Sequence, residues 1–170
     1  LAEIDAETVV DQAARVVAVS QALADEVAAL GVDRARIALV RNGVDAELFH
    51  PRDRGAARAA LGLPGDARIA LYVGNLKASK GVLDLLAAFA QVSDPQARLV
   101  LVGGGDERAA VEAAAARDPR IVAAGPQPLP EIPTYMAACD VLTLASWAEG
   151  TPNVVLEALA SGRRVVATSV

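Results

Sequence analysis

Glu149 and Glu157, with seven residues between them, stand in the stretch SWAEGTPNVVLEALASG over residues 146–162. Ionised carboxylates only accept hydrogen bonds, so a spaced pair of them suits a ligand rich in hydroxyl groups. The residues between them read as a helix start. Thr151 is a good N-cap, and Pro152 suits the first helical position, where its missing N–H would have found no partner. Gly162 suits the place just past the helix end. From Asn153 and Val154 onward the first turn presents open N–H groups and the positive end of a helix dipole, which together favour an anion. A plainer reading also exists: Glu157 as a solvated helix residue, Glu149 as an acid favoured by the dipole.

The only lysines of the chain, Lys77 and Lys80, lie together in the loop GNLKASKG; every other cation is Arg. Lys80 is followed by Gly81 and a second helix start, so its ammonium could neutralise a phosphate held by backbone N–H groups. The run Gly103-Gly104-Gly105-Asp106 invites a dinucleotide reading. It fails the G-x-G-x-x-G spacing, because Arg108 stands where the third glycine belongs. It reads either as a plain strand-to-helix turn or as a place of close backbone approach. His50 is the only histidine and no nucleophile motif accompanies it, which disfavours a Ser-His-Asp engine. The one cysteine, Cys139, reads as a small core residue; it precludes an internal disulfide framework and fits a reducing compartment. No Cys/His cluster suggests a transition-metal site.

The elements that must carry these groups alternate. Apolar runs at 68–73, 98–102, 120–124 and 140–145 read as buried strands, and helical patterns come after each. Unbroken apolar strands between helices predict an α/β fold, a doubly wound parallel sheet covered on both faces. Ligands of such sheets sit beyond the carboxyl ends of the strands. The loops there are GNLKASKG, GGGD, GPQPLP and SWAEGTPN. At the other ends, Arg36, Arg68, Arg98 and Arg120 each precede a strand and read as solvated. Two further strands, 15–20 and 36–40, flank a helix from Ser20 to Leu30; residues 1–13 read as helical and 51–65 as a connector around a short helix. The net charge of −5 and the lack of any dense basic stretch argue against nucleic acid. No apolar run is long enough for a spanning helix. The chain opens at Leu1 and closes at Val170 inside a predicted strand, so both ends read as cut.

EGTPNVVLEALASG resembles the E-x7-E motif of the retaining glycosyltransferases of family 4, which have the GT-B fold of two facing Rossmann-like domains. VVAVSQALADEVAALGV, followed by IALVRNGVDAELFHP, is similar to the family's passage from its N-terminal to its C-terminal domain. YVGNLKASKGVLDLLAAF resembles its donor loop, and LVLVGGGDE with the 120–145 segment fits in order and spacing. The resemblance covers nearly the whole chain.

It implies the C-terminal half of a GT-B fold, with residues 1–35 the tail of the acceptor domain, 36–66 a crossing segment and connector, and 67–170 an incomplete donor-binding domain. It implies transfer of a sugar from a nucleotide diphosphate sugar (a UDP- or GDP-sugar) to an acceptor hydroxyl with retention, without a required cofactor or metal. Lys80 would contact the diphosphate, Glu149 the hydroxyls of the transferred sugar and Glu157 those of the ribose. The backbone from Thr151 through Asn153 and Val154 would face the sugar or phosphates, and that near Val122 the base. Many members have Arg where this chain has Asn75, which leaves Lys77 as the available substitute cation. The acceptor would be a sugar, a lipid or a small molecule. The location implied is cytoplasmic, free or at the inner face of the membrane, with peripheral membrane contact open to the missing domain. The rival readings are a non-catalytic nucleotide-sugar module and an NAD-type Rossmann protein; Arg108 disfavours the second.

Overall fold

A computed structural model describes residues 12–169. The predicted helix over 1–13 lies almost wholly outside them. The chain forms two compact units, one of residues 1–43 with 150–153 and the other of 44–149 with 154–170.

In the first unit, β1 (Val16–Ala18) and β2 (Ile37–Leu39) pair in parallel. Between them runs α1 (Gln21–Ala29). Ser20 caps it, its hydroxyl accepting from the Leu23 N–H at 3.2 Å, and Gly31 stands just past its end at φ +93°. Both caps are as the sequence predicts.

The second unit is built on a five-stranded parallel sheet in the order β5-β4-β3-β6-β7. The strands are β3 (Arg68–Val73), β4 (Ala97–Val102), β5 (Ile121–Gly125), β6 (Val141–Leu144) and β7 (Arg164–Ala167). The helices are α2 (Arg54–Ala60), α3 (Val82–Phe89), α4 (Arg108–Arg117), α5 (Ile132–Ala138) and α6 (Asn153–Ala160). Successive strand residues point to opposite faces, and the core divides accordingly. Ile69, Leu71, Val100 and Val102 join Ile132, Met136 and Ala158, from α5 and α6. Tyr72, Leu99 and Leu101 join Val82, Phe89 and Val111, from α3 and α4. The sheet is therefore Rossmann-like, with α3 and α4 on one face and α5 and α6 on the other.

The segment read as a connector is a packed element. Phe49 is buried in the core, and Ala57 of α2 packs on Ala137 and Ala138 of α5. Arg58, 3% exposed, donates to the carbonyls of Ala138 and Gly65 and to Asp140 Oδ2. Asp140 also accepts from Arg54 and from the Ile69 N–H, so one carboxylate ties α2, β3 and the start of β6.

The arginines ahead of the strands are not simply solvated. Arg120 pairs with Asp118 at 2.7 Å, reaches the carbonyls of Val92 and Asp94, and lies 5.1 Å over the Phe89 ring. Arg68 pairs with Asp94, Arg98 reaches the Pro95 carbonyl, and in the first unit Arg36 donates to the Ala13 carbonyl. The planar guanidinium groups of Arg36, Arg98 and Arg120 close off carbonyls of the neighbouring backbone.

Candidate functional site

The order of strands reverses at β3, which lies between β4 and β6. This is the switch point where ligands of open α/β sheets bind. The loops that leave β3 and β6 there carry Lys80 and Glu149. They are held together by backbone as well as side chains. The Trp147 N–H donates to the Ser79 carbonyl at 3.0 Å, and the Trp147 indole donates to Asp84 Oδ2 at 2.8 Å. Gly81 has φ +64°, and a Cβ there would lie 1.9 Å from the Ala145 carbonyl oxygen. Only glycine permits both.

Across this junction Lys80 Nζ donates to Glu149 Oε1 at 2.8 Å, and Ser146 Oγ donates to the same oxygen at 2.7 Å. Burial pushes the Glu149 carboxyl up, but the hydrogen bonds from Lys80 and Ser146 and the lysine's charge outweigh it and hold it below the usual value. Burial, with the Glu149 charge adding to it, raises the Tyr72 hydroxyl to about 12. That hydroxyl therefore stays protonated and donates to the Asn75 carbonyl at 2.7 Å, fixing the start of the β3 loop.

Beside these loops lies a cleft of about 430 Å³. Gly74, Asn75, Gly103 and Gly104 form one wall, Pro126, Gln127, Leu129 and Ile132 another, and Glu157 of α6 also lines it. Burial raises the Glu157 carboxyl above its usual value. The glycine run resolves into separate tasks. A Cβ on Gly103 would meet the Gly74 carbonyl oxygen at 1.9 Å, and one on Gly105 the Leu76 carbonyl oxygen at 2.5 Å. Those two are forced by the chain's own backbone. Gly104, with nothing nearer than Pro126 at 3.9 Å, faces the cleft. A register shift between β4 and β5 sets Val102 opposite Gly125, and the Gln127 amide donates to the Ala124 carbonyl at 2.8 Å. Such irregularities bend a strand end and re-aim the loop that leaves it.

The structure thus joins Lys80 to Glu149, and Asn75 to Glu157, with the loop after β3 contributing to both groups. It places neither Lys80 nor Glu149 on the wall of the cleft. Lys77 is exposed and does not line it either. Val122 lies in mid-strand opposite Val100 with its side chain against the core, and it is not on the cleft. Val154 packs its side chain into both halves of the core.

Thr151 does not take the capping role expected of it. α6 begins at Asn153, and within the first unit the Thr151 hydroxyl donates to the Val19 carbonyl at 3.2 Å. Asn42 donates to the Thr151 carbonyl at 3.2 Å and to Asn153 Oδ1 at 2.8 Å. The reach of more than a hundred residues from Asn42 left no local trace in the sequence. Ser146 was also missed, although a hydroxyl three residues ahead of a glutamate is a spacing that lets the two side chains meet a common turn. Among the described residues no three His, Cys, Asp or Glu side chains gather as metal ligands would.

Residues 67–170 match the family described as Glycosyl transferases group 1, and residues 4–48 match Glycosyltransferase Family 4. The chain belongs to the group 1 glycosyl transferases. Its fold agrees with other members. It is similar to Anabaena Alr3699/HepE, solved in complex with UDP-glucose, with a TM-score of 0.80 and 26% identity over 96% of this chain and 49% of that one. It is similar to sucrose-phosphate synthase from Thermosynechococcus elongatus, with a TM-score of 0.81 and 31% identity over 96% of this chain and 43% of that one. In sequence it is 35% identical to the D-inositol 3-phosphate glycosyltransferase of Mycobacterium tuberculosis, over all of this chain and 37% of that protein. The chain therefore spans well under two thirds of the length of these relatives.

Proposed function

We propose that this group 1 glycosyl transferase chain binds a nucleoside diphosphate sugar, and that the protein it belongs to transfers the sugar to an acceptor hydroxyl with retention at the anomeric carbon. The observation that carries this reading is the junction at the switch point, where a lysine and a hydroxyl-accepting carboxylate meet beside a cleft that holds a second carboxylate. The UDP-glucose bound to the similar Anabaena protein supports the donor class.

In this reading residues 67–170 hold the donor. The base lies on the apolar wall of Pro126, Leu129 and Ile132, and the ribose hydroxyls bond Glu157. The base is therefore assigned to the loop after β5 and not to the backbone at Val122. Glu149 accepts hydroxyls of the transferred sugar. As the bond to the diphosphate breaks, the sugar becomes oxocarbenium-like and negative charge grows on the leaving phosphate. Lys80 and the N–H groups at the start of α6 stabilise that charge, and such preorganised electrostatics dominate many enzymes. No cofactor enters the scheme. The acceptor is a sugar, a lipid or a small molecule, bound with residues outside this chain. No helix among the described residues is long and apolar enough to cross a membrane.

The test is steady-state kinetics on the full-length protein with UDP- and GDP-sugars. Lys80→Ala is expected to lower kcat/KM for the donor by about 10²-fold, the cost of one lost transition-state contact. Glu157→Ala is expected to lower it mainly by raising KM, since the ribose is held alike before and during transfer. Normal donor kinetics in both variants would discard the assignment. Donor binding without turnover, with a full range of acceptors, would favour a nucleotide-sugar binding module instead.

A further inference from the structure

Glu149 offers one oxygen to two donors, and the donors differ in freedom. Ser146 is fully buried. Its carbonyl accepts from the Thr168 hydroxyl, and the next N–H is bound to Ser79, so its hydroxyl hangs by a single bond from fixed backbone. The Lys80 side chain is 32% exposed and has a four-carbon stem. Its backbone is fixed too, by the Lys80 N–H donating to the Lys77 carbonyl at 3.0 Å and by the close packing of Gly81 on Ala145. By rotating its stem the ammonium can leave Glu149 and reach a group several ångströms away; the hydroxyl, buried on a single rotatable bond, has no such reach. Both bonds fall on Oε1, and among the described residues none reaches Oε2.

A diphosphate that needs the Lys80 charge must compete with a carboxylate that already holds it. We propose that the donor enters by partner exchange at Lys80, and that Ser146 is the positioning residue that keeps Glu149 in place once the ammonium has turned to the phosphates. This rests on the donor reading above and adds a consequence for it. A nucleotide that carries a sugar gives Glu149 hydroxyls in return for the lost lysine. A bare nucleoside diphosphate gives it nothing and leaves two anions competing for one cation. Glu149 therefore selects for the sugar-bearing nucleotide, and after transfer it reclaims Lys80 and drives the spent diphosphate out.

Calorimetric titration of the full-length protein with UDP and GDP tests this. For whichever nucleotide binds, Glu149→Gln is expected to tighten the bare diphosphate by about threefold to tenfold, within an order of magnitude of what a partly buried ion pair carries. The same variant is expected to weaken the matching sugar nucleotide. In a Lys80→Ala background the tightening should vanish, because the cycle isolates the coupling between the two side chains. Unchanged or weaker diphosphate binding in Glu149→Gln overturns the exchange. Tightening that persists without Lys80 also overturns it, since Glu149 would then act on the phosphate directly. If Lys80→Ala alone leaves nucleotide binding unchanged, the donor reading itself fails, whatever Glu149 does. In a Glu157→Gln background, which removes the other titrating acid, Ser146→Ala is expected to move the acid limb of kcat to higher pH while the melting temperature stays near that of its own background. An unmoved limb overturns the role of Ser146.

Discussion

Lys77 and Lys80 are three residues apart, yet their surroundings differ. Lys80 is paired at 2.8 Å and half-buried, whereas Lys77 is exposed and off the cleft. Lys77→Ala is therefore expected to leave donor affinity unchanged, measured by titration. Asn75 does line the cleft, and its carbonyl is tied to Tyr72. Asn75→Arg would put a cation on the cleft wall, and it should tighten the donor by about tenfold, the worth of one charge-assisted hydrogen bond. Glu157 makes a pH prediction. Its carboxyl is raised above 4.5 by burial. As pH falls through that raised value Glu157 takes a proton and loses the charge that holds the ribose hydroxyls. Donor affinity should fall over that window, and the pH dependence should be absent in Glu157→Gln. Glu149 is shifted the other way, because the hydrogen bonds from Lys80 and Ser146 and the lysine's charge outweigh its burial.

At the scale of the elements, glycines decide how close the loops come. Gly81→Ala would drive a methyl group into the Ala145 carbonyl at a backbone angle of +64°, and Gly103→Ala would do the same against Gly74 at +145°. Both should cost about 3 kcal/mol or more, by strain and overpacking together, read by chemical denaturation. Gly104→Ala has room and should leave stability near that of the parent. Within the run, Gly103 and Gly105 have positive φ and backbone directly across from them whereas Gly104 has neither, and such differences leave no trace in the sequence GGGD. The strands were legible because each is dominated by Val, Leu, Ile and Ala, and β3 through β6 fall within a residue or so of expectation. The pairing of Lys80 with Glu149 was only partly legible. The parallel order puts their loops on one edge, but strand adjacency at the switch point is a long-range fact. α2 was underestimated because alanine and arginine carry little pattern, although Ala57 and Arg58 are buried.

Over the whole molecule, acids that are satisfied by arginine set the response to pH. Burial pushes the Asp140 carboxyl up, but the Ile69 N–H and the charges of Arg58 and Arg54 outweigh it and hold it below 3.8. A depressed acid contributes stability above its unfolded value and loses it as pH falls through its folded one. Asp140→Asn should therefore lose about 1–2 kcal/mol at neutral pH, a figure reduced for an acid whose side chain is 33% exposed, and the loss should shrink as pH falls below 3.8. Urea titration across that range measures it. The resemblance to a glycosyltransferase family rested on a few motifs in order, and the sheet order and the switch point then agreed with it. Asn42 and Thr151 add something that no motif carries. Residues 150–153 belong to the first unit, so the backbone passes between the two units at 43, at 149 and again at 153. One protease nick after Gly43 would not yield two self-sufficient fragments, because the amino-terminal piece would lack the strip that completes it, and the carboxy-terminal piece would keep that strip without Val19 and Asn42.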